Sequence, residues 1–265
     1  MLSLWYCGII IFKMKHKVLD LFSGIGGFSL GLQNTGGFET VAFCEIEPYC
    51  HKVLKKHWQD VPIYNDIKEL TYDTLQADGI EPTVITGGFP CQDISNAGRQ
   101  EGIIGERSSL WSEYARLIKD VQPTWAIIEN VSALRSKGLT LVLQNLSEIG
   151  YNAEWHCIPC TAVGGLHRRD RIWIIAYLSN SSSIRQSRQR ACGNACDTTQ
   201  IVQREAIKSF NGRVKNKWTV EPNVGRVAYG IPQRVDRLKG LGNAVVPQIP
   251  QFLGESILNF EKENI

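Results

Sequence analysis

One rhythm constrains this chain more than anything else in it. From Lys17 to Leu178, short apolar runs alternate with stretches whose apolar residues recur at helical spacing. Residues 18–22, 40–44, 83–86, 125–128 and 171–178 read as strands. Runs this continuously apolar are what strands buried on both faces of a parallel sheet require. Between them, Leu110, Tyr114, Leu117, Ile118 and Val121 share one helical face, as do Leu139, Val142, Leu146 and Ile149. The alternation predicts an α/β fold with a doubly wound, mostly parallel sheet. At 265 residues, 43% hydrophobic and 21% charged, the chain can bury a large core, as one big domain or one domain with a small annex.

The rhythm stops after Leu178. Residues 179–236 are polar, basic and Gln-rich without a clear period, and read as a small inserted module. Apolar patterning returns in residues 237–265, where 251–260 reads as a helix packing back onto the body formed by 15–178. Charge divides along the same line. Residues 181–240 hold 12 Lys+Arg against 4 Asp+Glu, and the other residues 17 against 22, so a +8 annex sits on a −5 body. That is the electrostatic footprint of a polyanion binder.

The longest apolar run, residues 2–12, falls short of the roughly 20 needed to span a bilayer. No basic residue precedes it and no small-residue cleavage site follows. The expected reading is a leader of 13 residues ahead of a working start at Met14. Eight scattered cysteines do not make a disulfide scaffold at this length, which suggests reduced thiols in the cytosol. Cys157 with Cys160 and Cys192 with Cys196 have loosely zinc-like spacing. The first pair, however, lies in or just after a strand-like run at 151–159 without a tight turn, so no metal site is expected.

The first strand runs into Gly24-Ile25-Gly26-Gly27. A dinucleotide fingerprint needs glycine at position 29, and this chain has Ser29. A Walker lysine is absent as well. Glu45 ends the second strand and Asp66 follows Ile63-Tyr64. Each is as compatible with a structural role as with accepting ribose hydroxyls. A nucleoside held by a turn and two acids, with no phosphate cradle, suggests S-adenosylmethionine. The third strand enters Gly87-Gly88-Phe89-Pro90-Cys91-Gln92, placing a cysteine at the crevice where open α/β sheets bind ligands. A thiol with an ordinary pKa near 8.5 needs neighbouring positive charge to act as a nucleophile. Arg169 and Arg171 could supply it if their strand lies close by, and Glu129-Asn130-Val131 brings a carboxyl group to the same sheet edge.

Taken in order, these motifs resemble the DNA cytosine-5 methyltransferases over about residues 18–250, the variable module excepted. Residues 20–27 resemble the first cofactor motif, and Glu45 and Asp66 the next two. Gly88-Phe89-Pro90-Cys91-Gln92 resembles the catalytic loop and Glu129-Asn130-Val131 the carboxylate motif. Arg168-Arg169-Asp170-Arg171 resembles a motif usually led by glutamine, where this chain has His167. Gly242-Asn243-Ala244-Val245-Val246-Pro247 resembles the last motif. The resemblance implies S-adenosylmethionine as cofactor, with Phe22, Gly24, Gly26, Gly27, Glu45, Ile46, Asp66, Ile67, Pro90, Leu110 and Asn243 around it.

It also implies Cys91 as the nucleophile at C6 of a flipped cytosine, Glu129 on N3 and the exocyclic amine, Arg169 on the base carbonyl and Arg171 ordering the catalytic loop. The basic module would read double-stranded DNA. Its candidates for phosphates or base edges are Arg185, Arg188, Arg190, Lys208, Arg213, Lys215 and Lys217, with Trp218 and Tyr229 as packing anchors. The expected enzyme is a cytoplasmic, nucleoid-associated monomer, off the membrane, with a restriction endonuclease as a separate partner. A tRNA cytosine-5 methyltransferase shares the same core and is the alternative. A catalytically silent binding module fits poorly with intact Cys91, Glu129 and Arg169. Ser29 and the Pro-Cys loop exclude a nicotinamide oxidoreductase.

Overall fold

The structure is a computed structural model that describes residues 15–90, 109–165, 169–178 and 240–263. Seven strands form one sheet: β1 (His16–Leu21), β2 (Phe38–Cys44), β3 (Ile63–Tyr64), β4 (Val84–Gly87), β5 (Trp125–Val131), β6 (Tyr151–Pro159) and β7 (Asp170–Leu178). Their order across the sheet is β3-β2-β1-β4-β5-β7-β6. The order reverses between β1 and β4, and at such a switch point the crevice beyond the strands' carboxyl ends is a ligand site.

Helices cover both faces. One apolar cluster packs α3 (Tyr72–Ala77), α4 (Ser109–Val121), α5 (Leu134–Lys137) and α6 (Leu139–Glu148) onto Leu19, Leu21, Ile85 and Ile128. The opposite cluster packs α1 (Gly27–Gln33) and α7 (Gln248–Glu263) onto Val18, Val84 and Ile127. The alternation of Val18 with Leu19 is the period of two that a sheet covered on both sides imposes. α2 (Pro48–His57) has proline in its first turn, where the missing N–H costs nothing, and is followed by Trp58, which lies edge-on to Phe43. α3 is capped by Thr71, whose hydroxyl accepts from the Thr74 amide at 3.1 Å.

The doubly wound, mostly parallel sheet expected from the sequence is present, with local differences. The first strand ends at Leu21, because Phe22 turns into the left-handed region at φ 51°. β5 runs on through Val131, so Glu129 and Asn130 lie inside the strand. The apolar run at 171–178 does not extend the parallel sheet. β7 is antiparallel to both β5 and β6. The expected return helix begins at Gln248, and its approach is close: a Cβ on Gly31 would come within 2.1 Å of the Pro247 carbonyl oxygen. Among the described residues no helix is long and apolar enough to cross a membrane. The module at 179–236 lies outside the described residues.

Candidate active site

The glycine turn at the end of β1 is built from conformations that side chains resist. Gly24 and Gly26 sit at φ 54° and 83°. A Cβ on Gly27 would meet the Val245 carbonyl oxygen at 2.5 Å, so the segment leading into α7 closes directly on the turn. From β2, Glu45 reaches this turn. Its carboxylate accepts from the Gly24 amide at 2.6 Å and from the Glu47 amide at 2.9 Å. Next to it, Ile46 leaves 65% of its surface exposed, an apolar face unusual beside a buried carboxylate. Asp66 accepts from the Lys68 amide at 2.9 Å in the turn after β3, and Ile67 is buried there.

Ser29, which breaks the dinucleotide fingerprint, has an internal task. Its hydroxyl donates to Asp20 at 2.7 Å, and Thr86 donates to the other oxygen of the same carboxyl group at 3.0 Å. Burial pushes the Asp20 carboxyl up to about 7, only partly offset by these two bonds. An exposed apolar side chain, an acid within reach and a glycine turn fit a nucleoside with its hydroxyls.

The second half of the site stands at the carboxyl ends of β4 and β5. Glu129 is buried, and its Oε1 accepts from Arg171 Nε at 2.9 Å. Burial raises the Glu129 carboxyl above its ordinary range, while Arg171 and Arg169 pull it back down. Arg169 is half-buried, and its own ionisation is lowered by desolvation and by Arg171. Its backbone is fixed by the Cys160 amide, which donates to the Arg169 carbonyl at 3.2 Å. Asn130 donates from Nδ2 to the Phe89 carbonyl at 3.1 Å, tying β5 to the residue two before Cys91. A carboxyl that burial raises beside two guanidinium groups keeps its proton more readily than an exposed one, and can present it to a heterocycle.

A family model for C-5 cytosine-specific DNA methylases matches residues 16–225. The chain belongs to that family. Among methylase relatives, the Type II methyltransferase M2.BsuMI of Bacillus subtilis (strain 168) is 38% identical over 170 residues, 61% of this chain and 42% of the relative. The Type II methyltransferase M1.ScrFI of Lactococcus lactis subsp. cremoris is 34% identical over 173 residues, 64% of this chain and 43% of its own length. The chain thus spans less than half the length of these curated relatives.

A solved Spodoptera frugiperda DNMT2 mutant is similar at TM-score 0.53 and 22% identity, over 63% of this chain and 51% of that one. A putative DNA modification methyltransferase encoded within an E. coli prophage gives the same TM-score at 23% identity, over 62% of this chain and 47% of that one. These two likenesses support the sheet and its order.

Against the methylase motifs, the structure places Phe22, Gly24, Gly26, Gly27, Glu45 and Ile46 around one turn, and Glu129, Arg169 and Arg171 in one cluster. Phe22 packs on Tyr114 of α4 at a ring-centroid distance of 6.2 Å, and Leu110 opens the same helix half-buried. Pro90 and Asn243 are exposed. Cys91, Arg185, Arg188, Arg190, Lys208, Arg213, Lys215, Lys217, Trp218 and Tyr229 lie outside the described residues, as do His167, Arg168, Cys192 and Cys196. Cys157 is exposed on β6, and Cys160 is buried in the single turn that follows.

For three residues that the motifs contain, the structure shows contacts that the motifs do not. Arg171 bonds Glu129 itself, a contact that depends on strand direction. A Cβ on Gly88 would lie 2.6 Å from Glu129 Oε2, so only glycine leaves that carboxylate its place. Asn130 did carry a cue, as a polar residue inside a buried apolar strand.

Proposed function

We propose that this chain is an S-adenosylmethionine-dependent DNA (cytosine-5-)-methyltransferase acting on a flipped cytosine in double-stranded DNA. The observation that carries the reading is Glu129, a carboxyl raised by burial and held by Arg171, on the strand whose Asn130 anchors the entry to Cys91. Phe22, the turn at Gly24, Gly26 and Gly27, Glu45 with Ile46, Asp66 with Ile67, Pro90, Leu110 and Asn243 would hold the cofactor. When bound, S-adenosylmethionine supplies an electrophilic methyl group to the C5 that Cys91 has activated.

The chain's own residues do the rest. The Cys91 thiolate adds to C6, forming the S–C6 bond as electron density moves toward N3. Glu129 meets that density with a proton at N3 while accepting from the exocyclic amine. Arg169 neutralises charge at the base carbonyl. A water molecule then takes the C5 proton, the C5–C6 double bond re-forms as the S–C6 bond breaks and the thiolate returns, and N3 gives its proton back to Glu129. The base must leave the stack, because both faces of C5–C6 are needed; unstacking costs a few kcal/mol.

Arg213, Lys215 and Lys217 of the basic segment would contact DNA, chiefly through phosphates. The protein would act as a monomer on DNA in the cytoplasm, alongside a restriction endonuclease that acts separately.

Bisulfite sequencing of plasmid DNA from cells expressing the chain tests the reading directly and reports the sequence context. Cys91→Ser should abolish the modification while S-adenosylhomocysteine affinity stays near that of the parent. DNA carrying 5-fluorocytosine should trap a covalent complex only when Cys91 is present, since fluorine cannot leave as a cation. Unmodified DNA alongside methylated tRNA would move the assignment to RNA.

A further inference from the structure

β3 is only two residues long, and its ladder to β2 ends at Tyr64. The Asp66–Leu70 turn therefore projects past the sheet without strand pairing to hold it. Inside the turn, the amides are drawn inward: Glu69 and Leu70 both donate to the Asp66 carbonyl at 3.1 Å. Two outward carbonyls converge on a single side chain from another element. Arg116 of α4 donates from Nη2 to the Leu70 carbonyl at 2.8 Å and to the Ile67 carbonyl at 3.1 Å. The guanidinium is itself oriented by acids on its own helix, with Nε on Glu113 Oε2 at 2.7 Å and Nη1 3.6 Å from Asp120 Oδ2. All of these bonds come from one planar fork, which a lysine cannot reproduce.

We infer that Arg116 is a positioning residue for the cofactor, clamping the Asp66–Ile67 turn to α4 so that the adenosyl pocket keeps its width. This rests on the proposed cofactor role of Asp66, Ile67 and Leu110. Leu110 stands on the first turn of α4 and Arg116 lies six residues further along the same helix, so one rigid element spans both walls of that pocket. Arg116 touches no reacting atom. Its loss frees the turn without altering Glu129, Arg169 or the Pro-Cys loop, so it acts on cofactor capture and not on the chemical step.

The test compares the full chain with Arg116→Lys and Arg116→Met in steady-state methylation and in calorimetric titration with S-adenosylhomocysteine. Losing charge-assisted bonds to the turn should raise KM for S-adenosylmethionine and Kd for S-adenosylhomocysteine by roughly tenfold in Arg116→Met. The increase should be smaller in Arg116→Lys, with kcat within about twofold of the parent in both, the split expected when only binding is lost. Combining Arg116→Met with Asp66→Asn should cost less than the two single effects added, because both act through one turn.

A purely structural role would lower the melting temperature and leave KM alone. KM and Kd equal to the parent's in Arg116→Lys, and in Arg116→Met if it folds, would overturn the inference however far the melting temperature falls. If the unsubstituted chain binds no S-adenosylhomocysteine, it is the cofactor assignment of the proposed function that fails, a result visible before any variant is made.

Discussion

Arg171 holds Glu129 diagonally across the β5–β7 pair: Arg171 stands opposite Val131, two residues along the strand from Glu129, and its Nε reaches the carboxylate at 2.9 Å. Removing that guanidinium takes away the larger of the two charge interactions that lower the Glu129 carboxyl against burial. In Arg171→Met the carboxyl should therefore rise further and keep its proton to higher pH. If Glu129 donates to N3, activity is lost as pH rises through its ionisation. The alkaline limb of kcat/KM should then move upward even as the rate falls. A limb that stays where it was would assign the proton to another group.

Gly88→Ala tests the space around the same carboxylate. The added methyl would sit 2.6 Å from Glu129 Oε2, well inside contact distance, so either the carboxylate or the loop entry must shift. A displacement of an ångström in a catalytic group commonly costs about 10²-fold in rate. Methylation should fall by that order, while S-adenosylhomocysteine affinity, measured by calorimetry, stays near the parent's. Retained activity would mean that Glu129 tolerates a second position.

Glu45 should separate cofactor binding from the chemistry. Glu45→Ala removes the acceptor expected to take the ribose hydroxyls, together with the bonds from the Gly24 and Glu47 amides. Affinity for S-adenosylhomocysteine should weaken by about 1.5–3 kcal/mol, the range for hydrogen bonds to a charged group. Glu45→Gln, which keeps one carbonyl oxygen, should lose less. Unchanged affinity in both would confine Glu45 to bracing the turn.

Asp20 predicts a pH dependence of stability. Its carboxyl faces the hydroxyls of Ser29 and Thr86, with Glu45 adding a like charge and Tyr114 close by. In the unfolded chain it ionises near 3.8, and in the folded protein near about 7. The folded state thus binds the extra proton, a contribution complete below the unfolded value and lost as pH rises through about 7. Asp20→Asn cannot ionise. Its melting temperature should gain on the parent's as pH rises from 3.8 toward about 7, and the gap should level off above that, in scanning calorimetry. Parallel curves would mean that Asp20 is ionised in the fold throughout.

How much of this was legible beforehand depended on what each feature is made of. Val18, Ile85 and Ile127 announce buried strands because burial on both faces demands unbroken apolar residues, and Leu117 and Val142 announce helices by their spacing. Strand direction leaves no such mark. The run at 171–178 is as apolar as a parallel strand, yet reversal is what brings its first residues to the edge where Glu129 stands. Run parallel, β7 would begin at the opposite edge, and Arg171 would lie about a strand's length away. Gly88 and Arg116 were hidden for a related reason: a missing Cβ and a two-carbonyl clamp matter only once distant segments meet.

The first and last described elements meet at a seam, where His16 contacts Glu261 across 245 positions of sequence at 3.0 Å. Phe28 and Leu32, on the helix that opens at the glycine turn, are covered by Ile249, Leu253 and Ile257. At ribosomal speeds of about 5–20 residues per second, that cover emerges tens of seconds after the helix it covers. Contacts this remote also close slowly. A nascent chain therefore carries its glycine turn early but half-sheltered, with apolar surface available to chaperones, until α7 emerges to cover it.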